Sequence, residues 1–223
     1  MTLADQFRPG TFVDAIHFIG DNGSLLLSKT GEHLELSGAA LGIALLLALP
    51  LGLWLGHLHR GFFLAASVSN VGRALPSLVL IAVGLTILGI GFWNNTAALV
   101  VLAVPPILTN AYFAIDGVDR DAVEAARGMG LTERQVLLQV ELPLGLPLVI
   151  AGIRIAAIFV IATATIAAIA GGGGLGEIIV NQASYGLAGV VAASLCVSAL
   201  ALFAAVLLGL VARAAWRRRV SVS

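Results

Sequence analysis

The sequence predicts an all-α membrane protein with about five transmembrane helices, and three observations carry that prediction. Of 223 residues, 59% are apolar and only 11% charged, where soluble domains carry about 25%; the mean hydropathy is +1.03. Neither residues 36–59 nor residues 74–115 contain a single Asp, Glu, Lys or Arg. The charges gather instead in one short island, residues 116–143, which holds nine of them.

A helix rises about 1.5 Å per residue, so a bilayer core needs roughly 20 residues. Residues 36–59 fit one span, whereas 74–115 are too many for one and divide at the turn formers Gly89, Gly91, Asn94 and Asn95. Span 1 is therefore expected at about 35–56, span 2 at about 62–88 and span 3 at about 96–115. Beyond the island, apolar runs on either side of a glycine cluster place span 4 at about 144–170 and span 5 at about 187–212. Residues 34–212 thus make the membrane domain, between an N-terminal segment, 1–33, and a basic tail, 213–223. Asp5, Asp14, Asp21 and Glu32 argue against a secretory signal peptide in the first segment, and Phe12, Ile16 and Ile19 fall at the spacing of a short interfacial helix.

Net charge is zero, 12 basic against 12 acidic residues, which points to neither a nucleic acid nor an acidic partner. Distribution says more. With the amino terminus outside, Arg60, Arg120, Arg127, Arg134, Arg213, Arg217, Arg218 and Arg219 face inward and only Arg8 and Lys29 outward, as the positive-inside rule requires. Trp54, Phe62, Phe63, Phe92, Trp93, Tyr112, Phe113, Tyr185 and Trp216 lie near the expected span ends, like an aromatic belt. A membrane location with the carboxyl terminus inside is therefore expected.

The island reads as two short helices joined by a glycine turn. Asp121 followed by Glu124 marks a start, Gly128 and Gly130 a stop, and Thr132 with Gln135 a capping box for a second helix ending at Pro143. As a DNA-binding helix-turn-helix it fails, because six acids against three arginines repel phosphate.

Its spacing is specific. Glu124-Ala125-Ala126, three residues, Gly130, nine residues, Val140, one residue and Leu142-Pro143 reproduce the EAA signature of bacterial ABC-importer permeases, with Val140 where isoleucine is usual. The chain resembles that family, and the resemblance implies a type I importer permease fold without its own ATPase. It further implies that the helix at about 121–129 is a coupling helix that docks into a groove on a separate ATPase subunit. Glu124 would offer a carboxylate there, Ala125 and Ala126 close approach, Arg127 a charge, Gly130 the turn, and Leu142 and Pro143 the return to the membrane. An extracytoplasmic solute-binding protein and a second permease, identical or paralogous, complete the implied assembly. Gly31-Glu32-His33, Leu75-Pro76-Ser77-Leu78, Ala151-Gly152-Ile153-Arg154 and Gly171 to Gly176 are similar to the branch importing glycine betaine, choline, carnitine and related osmoprotectants. Another small solute, such as an amino acid, is the alternative. A secondary transporter is the remoter one, since the spans lack intramembrane acids apart from Glu35 at an edge.

Other conspicuous residues are read more plainly. Gly171, Gly173 and Gly176 satisfy a dinucleotide-binding pattern, but the run follows a membrane helix rather than a strand; it is expected to be a flexible external hinge, with Gly171 and Gly174 as candidate hinge points. His57 and His59 read as solvated loop residues, and His17 and His33 as isolated. No metal site, cofactor site or catalytic set can be assembled, and Cys196 stands alone, so no intrachain disulfide is available. Pro50, Pro76, Pro105, Pro106 and Pro147 each remove a helix hydrogen bond, which makes Pro76 and Pro105 candidate gates. Asn70, Ser77, Thr109, Asn110, Thr163 and Thr165 are candidate path-lining residues. Arg73 and Arg154 would repel a cationic solute and are assigned a structural or gating role.

Overall fold

The computed structural model describes residues 10–220. Arg8, and the side chains of Arg73, Trp216, Arg217, Arg218 and Arg219, lie outside the described residues. Among those described, every regular element is helical: α1 (Gly10–Asp21), α2 (Gly23–His57), α3 (Phe62–Ala74), α4 (Ser77–Leu88), α5 (Phe92–Asp116), α6 (Arg120–Gly128), α7 (Glu133–Val136), a π turn (Leu137–Glu141), α8 (Leu142–Ala167), a 3₁₀ turn (Ala168–Ala170), α9 (Leu175–Val180) and α10 (Gln182–Val220).

Among the described residues, four helical runs are long and apolar enough to cross a membrane: α2, α5, Glu133–Ala170 and Gln182–Ala214. A fifth exists only if α3 and α4 count together as one broken span. Span 2, expected as one helix, is thus two, of 13 and 12 residues. The chain leaves the helix at Leu75 (φ −77°, ψ 118°) and Pro76 (φ −67°, ψ 126°), both extended. A residue before proline is pushed out of the helical region, and proline has no N–H with which to resume the ladder. Pro50, Pro105, Pro106 and Pro147 by contrast remain inside continuous helices. A helix, α1, forms in the segment before span 1, with Phe12 and Ile16 exposed on it. Helix α2 starts twelve residues before the expected span, at Gly23 rather than 35; its 35 residues are about 52 Å long, against about 30 Å of hydrocarbon. In α10, Gly186 takes non-helical angles (φ 65°, ψ 178°), so the regular helix begins where span 5 was expected.

The described residues group into two compact units, one of 10–40, 76–99 and 159–203, the other of 41–75, 100–158 and 204–220. In the second unit α5 is approached through glycines. A Cβ on Gly52 would lie 2.7 Å from the Leu108 carbonyl oxygen and one on Gly56 2.7 Å from that of Tyr112. These residues, four apart, let two helix backbones meet, a small-residue interface of the kind that packs membrane helices. Gly152 does the same against Asn110 and Pro106, and Gly72 against the Pro105 ring. Tyr112, expected in an aromatic belt, is 1% exposed and packed edge-on to Phe113.

In the first unit, Ile81, Ala98 and Ala170 form an apolar cluster with Leu80, Leu85 and Ile166 against it. Asn95 Nδ2 donates to the carbonyls of Gly91 (2.8 Å) and Ala170 (3.1 Å), and the Gly91 N–H also reaches Ala170 (3.1 Å). The turn formers that divided spans 2 and 3 in the sequence therefore also fasten the turn.

Candidate functional site

The charged island is a capped structure. Asp119, not Asp121, is the N-cap of α6: its carboxylate accepts the Asp121 N–H at 3.0 Å. At the other end Gly130 adopts φ +87°, the left-handed conformation that glycine enters without penalty. Its N–H reaches the Arg127 carbonyl (2.9 Å) while the Leu131 N–H reaches that of Ala126 (3.2 Å). These two bonds make a Schellman motif, which satisfies carbonyls a helix end otherwise leaves bare. Thr132 and Gln135 form the expected capping box, each side chain accepting the other's backbone N–H.

Helix α6 has two faces. Val123 and Ala126 are buried with Val118 and Val136, and Leu131 and Val140 pack against them. Asp121, Glu124, Ala125, Arg127 and Met129 are exposed. Ala126, expected to admit a partner, is 1% exposed and is consumed by the island's own core; Glu124 and Ala125 remain on the outer face.

The second island helix does not end at Pro143. It runs from α7 through the π turn into α8, and Pro143 lies within the first turn of α8. The Leu142 N–H bonds to Leu137 five residues back, and this widened turn accommodates a proline that lacks an N–H and whose ring would crowd a regular helix. Leu142 and Pro143 are both half-buried.

The π turn also delivers Glu141, 0% exposed, to His57. Glu141 Oε2 lies 2.6 Å from His57 Nδ1, and Glu133 Oε2 3.2 Å from His57 Nε2. Arg127 in turn grips Glu133 with two bonds, Nε to Oε1 at 3.0 Å and Nη2 to Oε2 at 2.9 Å. The bond from Arg127 holds the Glu133 carboxyl below the usual carboxylate range. His59 Nδ1 sits 2.9 Å from Asp116 Oδ1. The expectation that His57 is solvated is therefore corrected: it meets carboxylates remote in sequence and is 9% exposed, whereas His59 is an exposed residue of the turn after α2, as expected.

The glycine loop is fastened to the start of α2. The Gly174 N–H donates to Glu32 Oε2 at 2.9 Å, and Lys29 Nζ bridges Glu32 (3.0 Å) and Glu177 (2.6 Å). His33, expected to be isolated, is buried, and its Nε2 lies 2.9 Å from the Ile161 carbonyl oxygen. A carbonyl only accepts, so Nε2 carries the hydrogen. Gly171, Gly173 and Gly174 all have positive φ, and a Cβ on Gly174 would meet His33 at 3.0 Å.

The six candidate path residues do not converge on either of two described cavities. Thr109 Oγ1 donates to Ala65 O (3.3 Å), Asn110 Nδ2 to Pro106 O (2.7 Å) and Thr165 Oγ1 to Ala162 O (2.7 Å), so these three serve helix backbones. Thr163 is buried, Ser77 half-buried and Asn70 exposed. One cavity, about 500 Å³, is lined by Ser67, Val71, Gly72, Val101, Val104 and Pro105 among others; the other, about 510 Å³, includes Arg154 and Arg213.

With this geometry in hand, residues 48–220 match the family of binding-protein-dependent transport system inner membrane components. The chain belongs to that family. A glycine betaine/carnitine/choline transport system permease protein of Bacillus subtilis (strain 168) is 40% identical over 162 residues, 73% of this chain and 75% of that one. A carnitine transport permease protein of Listeria monocytogenes is 38% identical over 170 residues, 76% and 78% of the two chains. An osmoprotectant import permease protein of Salmonella typhimurium (strain LT2) is 34% identical over 180 residues, 77% and 82% of the two. Among solved structures, an inward-facing form of the MetNI methionine ABC transporter superposes with a TM-score of 0.75 at 22% identity, covering 87% of this chain and 98% of that one; at that identity the likeness establishes the fold. This protein is therefore an all-α membrane permease of the type I importer architecture, a transport component.

The permease's buried ionisable residues were the part its sequence concealed. His57 and Glu141 are 84 positions apart, and the only local sign was an acid, Glu141, placed against the apolar start of span 4.

Proposed function

We propose that this permease forms the membrane path of an ATP-driven importer for a quaternary-amine osmoprotectant such as glycine betaine, choline or carnitine. The observation that carries the reading is α6. It is a helix capped at both ends, with its inner face locked into a core of its own and Glu124 and Ala125 left exposed, within a chain whose relatives carry osmoprotectant names. A rigid body with one free face is what an external subunit needs in order to push or pull a membrane domain.

On this reading α6 is the coupling helix and faces the cytoplasm, where a separate ATPase subunit docks on Glu124, Ala125 and Arg127, while Gly130, Leu142 and Pro143 keep it in place. The amino terminus lies outside and the carboxyl terminus inside, in accord with the arginine distribution. A solute-binding protein docks on the outer side, near the glycine loop with Gly171 and Gly174. A second permease, identical or paralogous, completes the path. Asn70, Ser77, Thr109, Asn110, Thr163 and Thr165 are its candidate wall residues, and Pro76, Pro105, Gly171 and Gly174 its candidate gate or hinge positions. ATP binding closes the ATPase pair, α6 moves with it, and the solute shifts the cycle only through its different affinity for the two states.

The test is reconstitution with the ATPase and binding protein, measuring ATP hydrolysis across glycine betaine, choline, carnitine, proline and an amino-acid control. Stimulation confined to the quaternary amines is the expected result. Stimulation by the amino-acid control alone would reassign the solute, and uptake insensitive to vanadate would remove the ATPase from the scheme altogether.

A further inference from the structure

Among the described residues Glu141 is the one acid with no exposed surface, and nothing in the transport scheme above uses it. Its Oε2 is taken by His57, and its Oε1 has no partner. Burying a carboxylate with one oxygen unsatisfied is costly. An apolar side chain would pack the same turn without that cost, so packing does not account for the residue.

The imidazole of His57 is a point where three elements meet. His57 itself ends α2; Glu141 belongs to the π turn; and Glu133, on its Nε2 side, is held by Arg127 of α6. Glu133 and Glu141 lie eight positions apart on one continuous helical run, so His57 grips that run at two points. An ionised carboxylate only accepts hydrogen bonds, so both contacts are filled together when the ring carries an N–H on each nitrogen. The two links also differ in stiffness. Arg127 and Glu133 are 41% and 61% exposed, His57 and Glu141 9% and 0%. Water weakens the outer pair, whereas the buried one is short, 2.6 Å, and shielded from water.

We propose that His57 and Glu141 form a strut that carries displacement of α6 into α2, which makes both of them positioning residues for coupling transport to ATP. The proposal rests on the reading of α6 as the ATPase contact. Pulling α6 shifts Glu133 through Arg127, Glu133 bears on His57, and the buried bond to Glu141 keeps α2 and the π turn moving as one body. Without that bond α6 would slide while α2 stayed behind. The remaining ionisable pair at this end, His59 with Asp116, joins the loop after α2 to the end of α5 and does not touch α6.

The test uses the complete complex, permease with ATPase and binding protein in liposomes, with glycine betaine as the probe. H57F/E141L removes both partners together and leaves no orphan charge. The expected result is an unchanged melting temperature and an unstimulated ATPase rate within about twofold of the parent, while stimulation by loaded binding protein falls about tenfold, inside the usual range for coupling between linked sites. E141Q, whose amide oxygen still accepts from Nδ1, retains most of the stimulation. Should H57F/E141L fail to fold, E133A cuts the outer link at an exposed position and is expected to lower stimulation about threefold, as loss of an exposed pair would; an undiminished value would overturn the strut. A responsive parent together with an equally responsive H57F/E141L overturns the strut alone. A parent that hydrolyses ATP but responds to no solute overturns both the strut and the betaine reading.

Discussion

The two ends of α2 are held by opposite means. At its start, Lys29 and Glu32 form an ionic net with Glu177 and the Gly174 N–H, in which Glu32 and Glu177 are 41% and 44% exposed. At its finish, a single imidazole sits between carboxylates, one of them with no exposure at all. The first end tolerates the loss of a side chain, because water replaces it, but depends on a glycine backbone that no other residue reproduces. The second depends on one side-chain pair that water cannot replace, while Gly130, which closes α6, would meet nothing within 4 Å if it carried a Cβ. Fastening by backbone shape and fastening by buried charge therefore fail under different substitutions.

The largest expected effect is His57→Leu, which strands Glu141 as a buried, unpaired carboxylate; a loss of about 3–5 kcal/mol is anticipated, measurable by denaturant unfolding in detergent. A loss under 1 kcal/mol would mean that water reaches Glu141 and would erase the contrast. Next comes Gly174→Ala. Its angles (φ 69°, ψ −165°) fall in a region essentially restricted to glycine, worth about 1–3 kcal/mol, and the added methyl meets His33. Gly130→Ala meets no neighbour within 4 Å and pays only for left-handed backbone, about 1–2 kcal/mol; it sharpens the comparison if its melting temperature lies above that of Gly174→Ala. Gly130→Val, stiffer at Cβ, should insert normally yet transport poorly, as read by uptake in membrane vesicles. The smallest effect belongs to Lys29→Ala, below about 1 kcal/mol and shrinking further as salt is added. A salt-independent loss would place that net out of water's reach.

Much of this was legible in local pattern. Charge-free runs located α5 and α10 because hydrocarbon thickness dictates span length, and the spacing from Glu124 to Pro143 located the island. Thr132 and Gln135 paired as a capping box because that motif is decided within four residues. What stayed hidden depends on partners distant in the chain or on competition between neighbours. His57 and His33 looked solvated and isolated because the Glu141 carboxylate and the Ile161 carbonyl that receive them are 84 and 128 positions away. Tyr112 looked like a belt residue because its position along the chain says nothing of which side of α5 it faces. Ala126 looked free for a partner until Val118 and Val136 were seen to cover it. Five prolines looked alike, and only Pro76 broke its helix.

The π turn also sets an angle. Each residue of a regular helix advances the side chains by about 100°, and a turn that closes on the fifth residue back holds one more residue than its neighbours. Every side chain of α8, from Leu142 to Ala167, therefore points about 100° away from where an uninterrupted helix begun at Glu133 would aim it. Deleting a single residue between 137 and 141 would restore the regular ladder and swing the whole of α8 by that amount, so that the residues now turned toward α5, Gly145 and Gly152 among them, would turn elsewhere. Five residues beside the membrane thus act as the phase setting for a helix five times as long.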